Sequence, residues 1–282
     1  MTALYCFIIA FSTTIIISCE KETGNRINLN IPETVHAGTE ESATTKTSLA
    51  YVDDVYEVHW SLGDAIAVFP GSTQMQKYDL NDEDAGKDSG EFTRSSTYKP
   101  SGFGHAIVGS IAIYPFKTEI SLDSEKKASI VMEETQTYVA DSFDKDASLM
   151  MAENSETTDI DFTFKNLCGA LKLNLKGTGS VKNIIVSGNE GELLSGKAAA
   201  CFTDDTKDGK GVRLPSMTLN AEGGRSVTLE CGGISLSEDK AATFIIVLPP
   251  VQMKKGFTVK ITSTEGKTCL LKTDKPQEIK RS

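Results

Sequence analysis

Histidine, tryptophan and positive charge are all scarce in this chain, and each shortage removes a class of function. Only His36, His59 and His105 occur among 282 residues, so a His-rich metal centre or a relay of imidazoles would consume nearly all of them. The 29 Lys+Arg are outnumbered by 39 Asp+Glu, a formal charge of −10. Binding DNA or RNA by counterion release requires a basic surface, so nucleic acid is excluded as a partner. Aromatic residues make up 7%, with Trp60 the single tryptophan, which leaves little for the stacking platforms of a glycan site. No apolar stripe at helical spacing runs for the length of a helix. The six cysteines include no close pair, and zinc and redox motifs need one.

The amino-terminal run carries a signal of its own. Ala3 to Ile17 is apolar or hydroxylated without a charge, and Ser18-Cys19-Glu20-Lys21-Glu22 then turns polar. A spanning helix needs roughly 20 apolar residues, so this shorter run reads as a secretion signal, although Met1 to Leu4 lacks the usual basic residue. Ile16-Ile17-Ser18-Cys19 resembles the bacterial lipobox, in which the cysteine is diacylated, the chain is cut before it and the new amine is acylated. Cys19 is therefore the expected lipidation site, and two or more acyl chains make a stable membrane anchor. Residues 1–18 are the expected signal peptide and 19–26 a polar tether. Cys168, Cys201, Cys231 and Cys269 then remain; they allow three disulfide pairings and serve equally as small buried apolar residues.

Everything after the tether reads as strand. Ile27-Asn-Leu29-Asn-Ile31 alternates with period two, and similar runs follow at Val55–Trp60, Ala65–Phe69, His105–Val108, Ile111–Tyr114 and Ala128–Met132, each bounded by Gly or Pro turn residues. A second set begins at Ile160–Phe164 and continues through Leu171–Leu175, Val181–Val186, Phe244–Leu248 and Phe257–Ile261. Between the sets lies a polar stretch, Asp141 to Asp159, with room for one short helix around Ala147 to Ala152. The expected fold is all-β, two β-sandwich domains spanning 27–159 and 160–282, the second ending as though truncated.

Several local patterns approach a chemical motif and fall short. Gly191-Glu-Leu-Leu-Ser-Gly196-Lys197-Ala198 nearly spells a phosphate-binding loop, but Ala198 lacks the hydroxyl that binds Mg²⁺ and no helix follows; a glycine-punctuated hairpin is expected. Asp204 to Gly209 spaces oxygen ligands like a calcium loop, yet Pro215 stands where a bidentate Glu belongs, so an acidic turn is expected. Asn81 to Asp88 reads as a solvated loop. His59 lies in a strand pattern beside Trp60, with no nucleophile elbow anywhere. Asp53-Asp54 and Glu133-Glu134 would point to opposite faces of a strand and could not act as pairs. No catalytic residue, cofactor or metal ligand is assigned, and the chain is not expected to be an enzyme.

Thr45-Lys-Thr-Ser-Leu49, Val58-His-Trp60-Ser-Leu-Gly63-Asp64-Ala-Ile66-Ala-Val-Phe69 and Gly90-Glu-Phe92 follow one another in an order that resembles the fimbrillin family, the lipoprotein pilins of Bacteroidales. The series continues with Ala112-Ile-Tyr-Pro-Phe116, Glu134-Thr-Gln-Thr-Tyr138, Phe143, Leu149-Met-Met-Ala152 and Phe162-Thr-Phe-Lys-Asn166-Leu-Cys-Gly-Ala-Leu-Lys-Leu173. The resemblance implies two transthyretin-like sandwiches, export as an outer-membrane lipoprotein, and assembly with other subunits into surface fimbriae. There a donor strand from a neighbour fills the groove left when a protease removes the first strand. The cut would fall in the polar loop Glu33 to Lys46, where Lys46 replaces the family's Arg. A host or bacterial surface ligand would be the target of adhesion. Two other readings compete: a surface glycan-binding lipoprotein, and the noncatalytic amino-terminal module of a larger secreted protein.

Overall fold

Alternation gives a strand one buried face, while an unbroken apolar run gives it two; both kinds occur here, and their placement decides how the layers stack. The computed structural model describes residues 31–40, 49–52, 55–102 and 104–281. The signal run, Cys19, the tether, Ile27 to Asn30 and Lys46 lie outside the described residues.

The first part of the chain forms β1 (Thr34–Thr39), β2 (Leu49–Val52), β3 (Val55–Val58), β4 (Ala65–Ser72), β5 (Gln76–Leu80), β6 (Ser89–Arg94), β7 (Ala106–Tyr114), β8 (Ser121–Leu122), β9 (Ala128–Met132), β10 (Thr135–Thr137), β11 (Met150–Asn154) and β12 (Asp161–Asn166). Seven of these close into a barrel in the order β1-β12-β11-β7-β4-β5-β6. Two expectations are corrected. The polar stretch from Glu33 was expected to be loop, yet its first part is β1, parallel to β12 and antiparallel to β6. Val35 and Ala37 point inward between polar neighbours, a short alternation that the hydroxyls and glycine around it conceal. The helix expected at Ala147 to Ala152 is a single 3-10 turn, Lys145–Ala147, followed by β11.

The barrel interior is filled from every wall. Phe162 and Phe164 of β12 enter it together with Ile66, Val68, Tyr78, Phe92, Tyr114 and Trp60. β4, β7 and β11 are buried on both faces: Ile66, Val68, Ala112, Met150 and Ala152 face inward, while Ala67, Phe69, Ile111, Ile113 and Met151 face a second core outside the barrel.

That second core is closed by the rest of the chain. Its strands are β13 (Gly169–Leu175), β14 (Ser180–Gly188), β15 (Gly196–Lys207), β16 (Arg213–Leu219), β17 (Ser226–Ser235), β18 (Ala242–Leu248), β19 (Val251–Met253), β20 (Phe257–Ser263), β21 (Thr268–Lys272) and β22 (Gln277–Ile279). They form sheets in the orders β16-β15-β9-β8, β10-β17-β14-β20-β21, β13-β18 and β19-β22. The division expected at 159/160 is crossed by pairing in both directions. β12 completes the barrel, whereas β9 pairs with β15 and β10 with β17. β18 stands between cores: Ile245 and Val247 face the second, and Phe244, Ile246 and Leu248 face a third, beneath the five-stranded sheet.

Candidate functional site

The near-motifs resolve into structure. After Gly196 the chain continues as strand β15, and β14 and β15 lie in different sheets, so residues 189–195 form a crossing between sheets and not the expected hairpin. Asp204 and Asp205 sit on β15 itself, while Asp208 turns the chain into β16 by accepting from the backbone N–H groups of Lys210 and Val212, both at 2.8 Å. Those bonds hold its carboxyl below the usual range. In the Asn81-to-Asp88 segment Asp84 is spoken for: Lys87 donates to it at 2.6 Å and the Glu91 backbone N–H at 2.8 Å. Glu133 pairs with Lys117. Among the described residues no cluster of three or more His, Cys, Asp or Glu is placed to hold a metal ion. Cys168 is buried in the second core and Cys231 in the third, neither in a disulfide, and burial pushes each thiol up to about 12.

Trp60 is buried, with 1% of its surface exposed, and meets Phe92, Tyr114 and Phe164 edge-on at centroid distances of 5.0, 5.5 and 5.7 Å. It is not an aromatic platform. Leu62, which alternation would put on the same face, is 67% exposed because β3 ends at Val58 and the chain turns at Leu62 and Gly63, whose φ of 80° suits glycine. Asp64 fixes that turn. Its carboxylate accepts from the Ser61 N–H at 2.7 Å and from the Tyr114 hydroxyl and Lys145 Nζ at 3.1 Å each.

The feature with an unmet need lies in the last third of the chain. Five strands of one sheet are faced by a layer whose main part is the two-stranded pair β13-β18. That pair is held toward the β10 end: the buried Gln136 of β10 donates to the Val247 carbonyl at 2.7 Å and accepts from its N–H at 2.9 Å, like a one-residue strand. The β21 end is left bare. Val259 and Ile261 point to the core, so their partners Leu271 and Cys269 share that face, yet Leu271 is 44% exposed and Cys269 is exposed as well. On the opposite layer Leu171, Leu173 and Leu175 of β13 point to the same core and stay half-buried. Among the described residues no strand pairs with the second edge of β13. β22 abuts only its start, where Gly169 is needed because a Cβ would overlap the Lys280 carbonyl. The result is an apolar strip, bounded by a strand edge with unused ladder positions, of the shape that one more strand would complete.

The expected lipidation and processing residues, Cys19 and Lys46, fall outside the described residues, and the strip was not legible as a site. Its signal is present in retrospect: the clean Leu-Lys-Leu-Asn-Leu alternation of β13 has an apolar face, but alternation does not say what covers it.

Two solved structures from Bacteroides superpose on most of the chain. A protein of Bacteroides ovatus provisionally assigned to cell adhesion superposes with a TM-score of 0.49 at 10% identity, over 86% of this chain and 88% of its own. One of Bacteroides uniformis, assigned in the same terms, superposes at 0.45 with 16% identity over 84% of each chain. No family model and no curated protein matches the chain.

Proposed function

We propose that the chain is a cell-surface, fimbrillin-like lipoprotein: a fimbrial subunit, tip or anchor, joined to other subunits by β-strand exchange and serving adhesion. The observation that carries this reading is the apolar strip between β13 and β21. An extended segment from a neighbour would gain main-chain hydrogen bonds along β13 and bury its alternate side chains against Leu171, Leu173, Leu175 and Leu271.

The barrel supports the reading from its other end. β1 is the first described strand of the barrel, and residues 41–48 separate it from β2. A cut at Lys46 would leave β1 held by its ladders to β6 and β12 and by side-chain contacts alone. Lipidation at Cys19 would place the molecule on the outer membrane, and no catalytic role is assigned.

The test is a photo-crosslinking amino acid in place of Leu173, introduced in cells that make the protein, followed by surface shaving and electron microscopy. Covalent ladders containing the protein, on surface polymers, are the expected result. Labelled monomer alone, with no polymer on the surface, would overturn the proposal.

A further inference from the structure

Charge is divided unevenly along the chain. Residues 1–164 hold 11 Lys+Arg against 27 Asp+Glu, and residues 165–282 hold 18 against 12. The bare strip lies wholly in the basic part. From Lys165 to Asn189, which includes β13 and β14, there are four lysines and no carboxylate. Lys172 is exposed on the β13 face opposite Leu171 and Leu173, and Lys176 is exposed immediately beyond the strand.

We infer that the strip selects an acidic strand: an extended segment with apolar residues at alternate positions and carboxylates between them, delivered from an acidic surface such as the amino-terminal half of a second copy. This rests on the strand addition proposed above and adds its specificity. A strand laid along β13 puts every second side chain into the third core and the others beside Lys172, where opposite charges across neighbouring strands attract and like charges repel. The wider division of charge acts earlier, steering a negative surface toward a positive one before contact and disfavouring the reverse approach. Docking of the acidic part of one copy onto the basic part of the next is heterologous, and a rotation that does not close generates a filament.

Fluorescence anisotropy on the purified mature protein tests this with three labelled strand peptides, each with valine at every second position and glutamate, serine or lysine between. The glutamate peptide is expected to bind about tenfold more tightly than the serine peptide, with affinity falling as salt rises, and the lysine peptide to bind least. Lys172→Glu combined with Lys176→Glu, at exposed positions where the fold tolerates change, should reverse the order. Equal binding of all three peptides would overturn charge selection and leave strand addition standing. Binding of none would remove strand addition, and this inference with it.

Discussion

The indole Nε1 of Trp60 donates to the main-chain carbonyl of Ala37 at 3.1 Å, so the single tryptophan of the chain clamps its first described strand from inside the barrel. A second clamp lies near the start of the strand, where the buried Tyr78 donates its hydroxyl to the Pro32 carbonyl at 2.6 Å. At the far end Glu40 receives Arg281 at 2.7 Å and the Asn166 N–H at 3.2 Å. β1 is thus pinned at three points besides its two ladders.

Removal of the tryptophan clamp is the first prediction. Trp60→Phe keeps much of the packing but orphans the buried indole's bond to Ala37, and should cost about 1–3 kcal/mol. Trp60→Ala should cost about 3–5 kcal/mol through the cavity it opens. Urea melts give both values, and amide exchange in the Phe variant should quicken in β1 before it quickens in β14. A melt unchanged by either substitution would contradict the packing described.

Asp64 should behave as a structural carboxylate. Its loss in Asp64→Ala leaves the buried Tyr114 hydroxyl and the Ser61 N–H without their acceptor, a cost of roughly 3 kcal/mol. Lys145→Ala should cost far less, because the lysine is 41% exposed and its pairing is screened by water. Comparable losses for the two variants in a thermal melt would refute this division.

The cysteines divide by depth. In the native protein at mildly alkaline pH, Cys269 and Cys201 should take up iodoacetamide while Cys168 and Cys231 remain unlabelled until denaturant is added. The buried groups also set an alkaline limit. Burial raises the Cys168 and Cys231 thiols from 9.0 to about 12, and Tyr78 from 10.0 to about 12. The folded chain therefore keeps protons that the unfolded chain releases. Their contribution to stability is complete below pH 9 and is lost as pH rises toward 12. Melting temperature should fall across that window, and a constant value through it would exclude the effect.

Leu271→Asp separates assembly from folding. The side chain is already half in water, so the monomer's stability should change by no more than about 0.5 kcal/mol. Crosslinking through the position of Leu173 should nonetheless disappear, because an arriving strand would meet a charge at the floor of the strip. Ladders of undiminished intensity would place the contact elsewhere.

Processing at Lys46 is read by limited trypsin digestion. A single early cut there, with the β1 peptide lost only when a peptide able to take its place between β6 and β12 is supplied, is the outcome expected if β1 is itself exchanged. Loss of the whole fold on cutting would show instead that β1 is indispensable.

Much of the barrel was legible in the sequence because its inward residues are large and its turns are marked. Trp60, Gly63-Asp64, Phe92, Tyr114, Met150, Phe162 and Phe164 belong to the ordered series that suggested a family, and in the structure these residues converge on one core or fix one turn beside it. β1 was missed because its inward residues are only Val35 and Ala37; small side chains suffice where Trp60 fills the space. The crossing of the 159/160 division was hidden for a different reason. Periodicity identifies a strand and its faces but not its partner, and the pairings of β9 with β15 and of β12 with β1 are contacts between distant parts of the chain. The bare strip follows from the same limit, since an exposed Leu271 and a buried Val259 look alike in a sequence.

β18 has one further consequence, mechanical in kind. Its alternate residues belong to different cores, so sliding it out of register would tear both together, and the Gln136 clasp ties it to β10 as well. If the chain polymerises as proposed, a fibre of such units would have no weak joint between two beads to stretch first. Under tension each unit would hold its length until β18 sheared and then yield in a single step, so the filament would act as a stiff rod with a sharp breaking load and not as a spring.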